Sequence, residues 1–596
     1  MRRAATPRPR NWGTVVMYVG NALVACVILT VVLQLWRMNW HIPLYFSGDA
    51  VFTGSSIKAM IENGWFWFNP HVGAPGVSNM LDYPAADTFH WVVLKAISLV
   101  AGDWAATLNA FYLLGFPVTS VVALWAFRRL GLTTPTAFAM SLLYAFLPYH
   151  TLRAEAHLFL GAYYAIPLVL VVCIELFGDA PPMVSAGSAD RPRIDFKSKS
   201  SWLVLTLCVV IGSSGVYYAV FTCFFLAIAA LIGWWRSGER VRLVVAAVLV
   251  GVIGLTVAVN LAPYVWYRMQ AGPNTAGVER GIAGGEIYSL RPAQLVLPVS
   301  NHRIGVLAYV NQGYTHVLDS IAPVLVNESS TAALGIIGAV GLMFLLLVLL
   351  LGLRPNAPPA SDALRIGGVA SLAGAAILLA SSGGFGTILA VVLPQIRAYN
   401  RISVFVAFLA LFGAGVLLDR LTGRVGARSR QWAVPIVIVL VVAVGTLDQT
   451  TAEMVPHYDT TAVTWATNEA FISSIEAGLP DGAKVLQLPY VQFPESPGIE
   501  KMYDYDHFRP YMQSSKIHWS YGAVKGRPDA QFNESVAALP AAQLVDKAKG
   551  AGFAGVWVDT SGYADRGKAL GADLSAATGS SARRSGDGRY LFYAIQ

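Results

Sequence analysis

Asp49 lies in Tyr45-Phe46-Ser47-Gly48-Asp49-Ala50, roughly a dozen residues past the first membrane-length apolar run and at the start of a tryptophan-rich loop. A carboxylate there can act as a general base where lipid meets water, or it can simply cap a helix or a turn, as aspartate often does. Asp82 and Asp87 follow in the same loop and compete for either role, and two acids on one loop can also bind a divalent cation. Farther on, Pro148-Tyr149-His150-Thr151-Leu152-Arg153-Ala154-Glu155-Ala156-His157 concentrates polar groups in one turn. Arg153 and His157 are four residues apart and share a face if the next helix begins early, where they can bind phosphate or sugar hydroxyls. A solvated Arg153/Glu155 or Arg153/His157 pair is the plainer alternative. Pro394-Gln395-Ile396-Arg397-Ala398-Tyr399-Asn400-Arg401 puts two arginines at i, i+4, which predicts two guanidinium forks on one helical face, a geometry that grips phosphate. Snorkelling to anionic headgroups is the competing reading.

These residues must be placed by a membrane scaffold. The chain has 596 residues, of which 55% are hydrophobic and only 13% charged, against about a quarter charged in ordinary soluble domains. Apolar runs near 13–36, 103–127, 135–149, 158–177, 201–213, 216–234, 242–266, 331–353, 365–382, 401–419 and 432–447 predict about eleven transmembrane helices. The first run is too long for a signal-peptide core and is read as a retained helix. The net charge of +8 comes from Lys and Arg clusters in every second connection: Arg2/Arg3, Arg128/Arg129, Arg191 to Lys199, Arg236 to Arg242, Arg354/Arg365 and Arg420 to Arg430. That alternation argues for topology and against nucleic-acid binding, with the N-terminus cytoplasmic and the C-terminus outside.

Three outer segments are then large: 37–102, 267–330 and everything after 448. Thr53 to Glu62 and Thr88 to Val100 suit helices lying in the interface plane, framing a lateral entrance for a lipid. Residues 1–447 form the transmembrane unit. Residues 448–596 have soluble composition, with strand-like 484–488, 554–558 and 589–595 alternating with helix-like 461–478 and 536–550, which predicts a small α/β domain outside the membrane. The 180–200 stretch reads as a flexible cytoplasmic loop.

Further candidates are weaker. Gly212-Ser213-Ser214-Gly215 followed by Tyr217 and Tyr218 predicts a tight outer turn whose tyrosines suit the aromatic belt. Trp65, Trp67 and Tyr83 can stack on sugar or line the lipid entrance. Glu279, Arg280, Glu286, Tyr288, His302 and His316 can contact an acceptor, and the two histidines lack metal-ligand spacing. All four cysteines, Cys26, Cys173, Cys208 and Cys223, fall inside apolar segments without metal or disulfide patterns. HExxH, GxSxG and Walker motifs are missing from the sequence.

The first helix, the outer loop with Ser47-Gly48-Asp49, the interfacial helices, the Tyr149 to His157 turn, the Pro394-to-Arg401 entry and the C-terminal α/β domain together resemble the GT-C superfamily of membrane glycosyltransferases. The likeness points especially to its bacterial YfhO-like members. It implies a polyprenyl-phosphate-linked sugar as donor and inverting transfer to a cell-envelope glycan, glycolipid or other hydroxyl acceptor, in a bacterial cytoplasmic membrane. On that resemblance Asp49 is the catalytic residue that deprotonates or orients the acceptor hydroxyl; apart from it, the chemistry of the residues assigns the donor phosphate to Arg397, Arg401 and Arg153, and sugar or acceptor binding to His157, Asp82, Asp87, Tyr217 and Tyr83. Many relatives pair two acids at the Asp49 position, whereas Gly48 and Ala50 flank it here. No cofactor is required by the sequence, and Mg²⁺ or Mn²⁺ enters as an option through Asp82 or Asp87. A flippase for a lipid-linked sugar and a non-catalytic envelope scaffold are the alternative readings. The helix interiors hold almost no charge, which argues against midplane transport.

Overall fold

The computed structural model of the chain describes residues 12–186, 192–277, 281–323, 328–352 and 360–595. Arg2, Arg3, Arg191, Glu279, Arg280 and Arg354 lie outside the described residues. Among those described, six helices are long and apolar enough to cross a membrane, and five more apolar helices are shorter, at 10–17 residues. The protein is a multi-pass membrane protein.

Helix α1 (Trp12–Leu33) packs along α4 (Trp104–Arg129). Between them stand α2 (Asp49–Asn63) and α3 (Thr88–Ala101), the two helices expected in the first loop. Helix α5 (Thr134–Ala145) is followed by the short α6 (Pro148–Arg153). The helix expected over 158–177 is instead two pieces, Leu158–Gly161 and Ile166–Leu176. The break has a local cause: the Tyr163 hydroxyl turns back to the Tyr144 carbonyl at 2.9 Å, and Pro167 suits only the first turn of the second piece. Deeper in the bundle, Gly335–Leu351 crosses Ser403–Gly423 at backbone contact, since a methyl group on Gly341 would fall 1.9 Å from the Ala410 carbonyl oxygen. Small residues permit this approach where no hydrophobic force between lipid-bathed helices would drive it.

The two ends of the bundle differ chemically. Arg128, Arg129, Arg242 and Arg365 gather at one end, where Arg365 donates to the Leu130 carbonyl and Arg242 to those of Leu176 and Gly178. The 180–200 stretch, expected to be a flexible loop, contains an antiparallel pair, Val184–Ala186 with Pro192–Ile194. The long loops and the C-terminal domain occupy the opposite end.

After Ala427–Gln449 the chain enters a five-stranded sheet. Numbering only its strands, these are β1 (Lys484–Leu488), β2 (His518–Trp519), β3 (Phe553–Asp559), β4 (Arg583–Arg584) and β5 (Tyr590–Ala594), in the order β2-β1-β3-β5-β4. β1 runs parallel to β2 and β3, and β5 runs antiparallel to β3 and β4. Strands β1, β3 and β5 coincide with expected ones, whereas the two-residue β2 and β4 are too short to leave a periodic signal. The sheet is bonded to the first loop, because the Trp519 N–H donates to the His71 carbonyl at 2.8 Å and the Ala74 N–H to the Trp519 carbonyl at 3.0 Å. Arg527 grips Asp82 with both Nε (2.6 Å) and Nη2 (2.8 Å). Trp104 Nε1 donates to the Met512 carbonyl at 3.1 Å.

Candidate active site

Asp49 is the first residue of α2, and Gly48, at φ +54°, is its N-cap. The aspartate is thus not the cap: its carboxylate accepts no hydrogen bond from a described residue, and it sits in the first turn, where the helix dipole favours negative charge. Its approach is fixed by Glu155, which is buried and accepts the Tyr45 N–H at 3.0 Å. Burial pushes the Glu155 carboxyl up to about 8. The expected Arg153/Glu155 surface pair does not form, because Ala154 between them has φ +43° and turns the two side chains apart. That reversal also ends α6, so Arg153 and His157 do not share a helical face. They are linked by a turn in which the His157 N–H bonds the Arg153 carbonyl at 3.0 Å.

The turn aims both residues at Glu328. Arg153, 2% exposed, brings Nη2 within 3.0 Å of Glu328 Oε2, and Arg401 Nη2 lies 3.7 Å from the same oxygen. His157 Nε2 stands between two carboxylates, 3.6 Å from Glu328 Oε1 and 3.7 Å from Asp49 Oδ2. Four residues from three distant stretches of sequence, Asp49, Arg153 with His157, and Arg401, therefore converge around a fifth, Glu328. Two tyrosine rings back the guanidinium groups: Arg153 lies over Tyr149 and Arg401 over Tyr217, each at 4.4 Å.

Electrostatics separates the two acids. Burial would raise the Glu328 carboxyl, but His157, Arg153 and Arg401 outweigh it and hold it well below the usual carboxylate range. For Asp49, burial raises the carboxyl above its ordinary 3.8; His157 and Arg401 pull it down, and Glu328 and Glu495 push it up. Its side chain is 46% exposed, so that desolvation is partial. Asp504, from the C-terminal domain, faces the same carboxylate, and burial together with Asp49 pushes it up to about 6.

The other expected residues divide into near and far. Asp87, at the N-cap of α3, feels the Arg401 charge and is pushed up to about 6 by burial. Gly215 is needed beside it, since a side chain there would meet Asp87 Oδ1 at 2.9 Å. Tyr83 donates its hydroxyl to Glu495 Oε1 at 2.5 Å, at the seam between the first loop and the C-terminal domain. Asp82 is held by Arg527 and Asn274, away from the cluster. Arg397 is not on a helical face with Arg401: residues 394–398 form no helix, and a 3-10 turn begins only at Tyr399. Arg397 instead lies over the Tyr288 ring at 5.0 Å. Trp67 donates to the Tyr264 hydroxyl at 3.3 Å.

This chain has the GT-C fold. Its architecture is like that of solved structures: ArnT from Cupriavidus metallidurans, bound to undecaprenyl phosphate, superposes with a TM-score of 0.52 and 15% identity over 98% of both chains. The same protein in its apo state gives 0.51, with the same identity and coverage. No sequence-family model matches the chain, and no curated protein matches it in sequence. Within the GT-C fold the first loop, the turn after α6 and the entry to Ser403–Gly423 meet at the end that carries the C-terminal domain. A cavity of about 450 Å³ at the opposite end is lined by Thr14, Tyr18, Trp125, Arg128 and Arg129, with no carboxylate among its described lining residues.

Glu328 is a site residue that sequence reasoning misses, although it stands three residues before an apolar run, the kind of boundary position that marks the other candidates. Glu495 and Asp504 gave no signal, being ordinary acids in a soluble-looking domain. As for a divalent cation, no group of three or more His, Cys, Asp or Glu among the described residues has metal-binding geometry. Glu328, the acid nearest His157, is paired with two guanidinium groups.

Proposed function

We propose that the protein is an inverting glycosyltransferase that moves a sugar from a polyprenyl-phosphate donor to a hydroxyl acceptor of the cell envelope. The observation that carries this reading is the convergence of a carboxylate, Asp49, with two buried or half-buried guanidinium groups, Arg153 and Arg401, across His157 and Glu328. The likeness to a protein solved with undecaprenyl phosphate supports a lipid-borne donor. Such a donor needs no nucleotide loop.

In the proposed reaction the acceptor oxygen attacks the anomeric carbon, and Asp49 takes the hydroxyl proton. The bond from that carbon to the phosphate oxygen breaks, and its electron pair leaves with the phosphate. Arg401 and Arg153 neutralise the charge that develops there, in a setting where burial strengthens the interaction. A single displacement of this kind inverts the anomeric configuration. His157 fixes the spacing between base and clamp, and Asp87 and Tyr217 shape the sugar side. Tyr83, with Glu495 and Asp504, shapes the acceptor side. Arg397 is assigned an accessory place on the clamp's flank, and Asp82 a role in docking the C-terminal domain. The basic end of the bundle supports a cytoplasmic N-terminus, so the site and the C-terminal domain face outward from a bacterial cytoplasmic membrane.

The test is transfer by the purified protein in nanodiscs, supplied with undecaprenyl-phosphate-linked labelled sugars and envelope extract. The reading expects label in an acceptor with release of undecaprenyl phosphate by the native protein and none by Asp49→Asn. Full transfer by the folded Asp49→Asn protein would sink the base assignment.

A further inference from the structure

Glu328 begins a 3-10 turn, Glu328–Ala332, just ahead of Gly335–Leu351, and among the described residues it is the acid that contacts both clamp arginines. Its contacts hold opposite charges close without completing their hydrogen bonds. Arg153 Nε, Arg401 Nε and the Tyr217 hydroxyl are buried with no hydrogen-bond partner among the described residues, and Arg153 Nη2 and Glu328 Oε2 are spent on each other at 3.0 Å. Buried donors of charged groups are normally satisfied, and several left open around one point mark a place where another acceptor belongs. A carboxylate has two oxygens to share among Arg153, Arg401 and His157; the phosphodiester of a lipid-linked sugar also has two, and the phosphate monoester left after transfer has three, and either meets guanidinium forks in bidentate fashion. Keeping both anions between the same arginines would set like charges against each other in a partly desolvated space.

We infer that Glu328 is an internal counter-anion that holds the phosphate's place between Arg153 and Arg401 in the ligand-free protein, and that the phosphate of the polyprenyl donor displaces it. The inference rests on the donor reading made under Proposed function. Glu328 keeps the Arg153 charge paired when no lipid is bound, which a buried guanidinium requires. It also competes with the phosphate, so the spent lipid carrier is held less tightly and leaves after transfer.

The experiment measures the Kd of undecaprenyl phosphate for the native protein, Glu328→Gln and Glu328→Asp in nanodiscs, with undecaprenol as the phosphate-free control. Removing the competitor is expected to tighten binding of undecaprenyl phosphate by about tenfold, within the range of typical couplings between sites. Undecaprenol binding should not change. Without ligand, Glu328→Gln should melt lower than the native protein, and undecaprenyl phosphate should raise its Tm by more than it raises the native value. If Glu328→Gln cannot be obtained folded, Glu328→Asp decides: its shorter side chain draws the carboxylate back from Arg153, and its affinity should exceed the native one. Equal or weaker binding by either variant, with native binding intact, overturns the inference and makes Glu328 a fixed part of the clamp. A native protein that does not bind undecaprenyl phosphate overturns the donor reading itself, and the two failures are thereby distinguished.

Discussion

Replacing Asp49 with Asn removes the proposed base while keeping its shape, so kcat should fall by about 10²- to 10⁴-fold with donor affinity preserved. The same change makes a stability prediction whose sign follows from the carboxyl being raised above 3.8 in the folded protein. A raised acid binds its proton more tightly folded than unfolded; it costs nothing below pH 3.8 and destabilises progressively as pH rises through the folded value. Asp49→Asn should therefore raise Tm at pH 7, with the gain vanishing in acid; a variant less stable at pH 7 would contradict a carboxyl raised by burial. For the clamp, Arg401→Ala should weaken undecaprenyl phosphate binding by about 2 kcal/mol or more. Arg397→Ala should cost clearly less, since Arg397 lies over Tyr288 and not against Glu328. Equal losses in a direct binding titration would restore the paired-arginine reading that the i, i+4 spacing predicted.

The elements that position these residues are turns more than helices. The segment leading into α2 is tied by the Tyr45 N–H bond to buried Glu155, on the far side of the Ala154 reversal from Arg153. Glu155→Ala leaves that N–H without its acceptor and should cost about 1–3 kcal/mol of stability. It should lower kcat more than it lowers donor affinity, because Asp49 is displaced while Arg153 and Arg401 stay in place. Stopped-flow binding alongside steady-state turnover separates the two effects. This is also where sequence reasoning reached its limit. Periodicity located α2, α3 and the apolar helices, but a left-handed residue at Ala154 and a non-helical Arg397 leave no periodic trace.

Across the whole molecule, the C-terminal sheet and the first loop form one construction. Trp519 bonds the loop backbone, and the Asp82 carboxylate, 7% exposed, is gripped by Arg527. Removing one partner of such a pair costs about 3–5 kcal/mol, since the other charge stays buried without compensation. Arg527→Ala should loosen the domain from the loop and expose the seam to protease. A double-mutant cycle with Asp82→Ala should show strong non-additivity in Tm. Because Tyr83, Glu495 and Asp504 meet at that seam, the loosened protein should also change acceptor preference before it loses donor binding. Unchanged acceptor choice in a protein with a demonstrably loosened domain would remove the acceptor role from the seam.

By itself the sequence determined that this is a helical membrane protein with a soluble α/β domain at its C-terminal end, because burial in lipid and burial in a core write different, local patterns of hydrophobicity. It also marked Asp49, Arg153, His157 and Arg401 one by one, since a charge at a membrane boundary is conspicuous wherever it stands. Only the tertiary structure decided which of them meet. It joined these four through Glu328, moved Asp82 to a docking contact and Arg397 to the flank, and brought Glu495 and Asp504 across from a separate domain. Electrostatic partnership depends on distances of 3 to 4 Å between residues that lie far apart in sequence, and no local pattern encodes those distances.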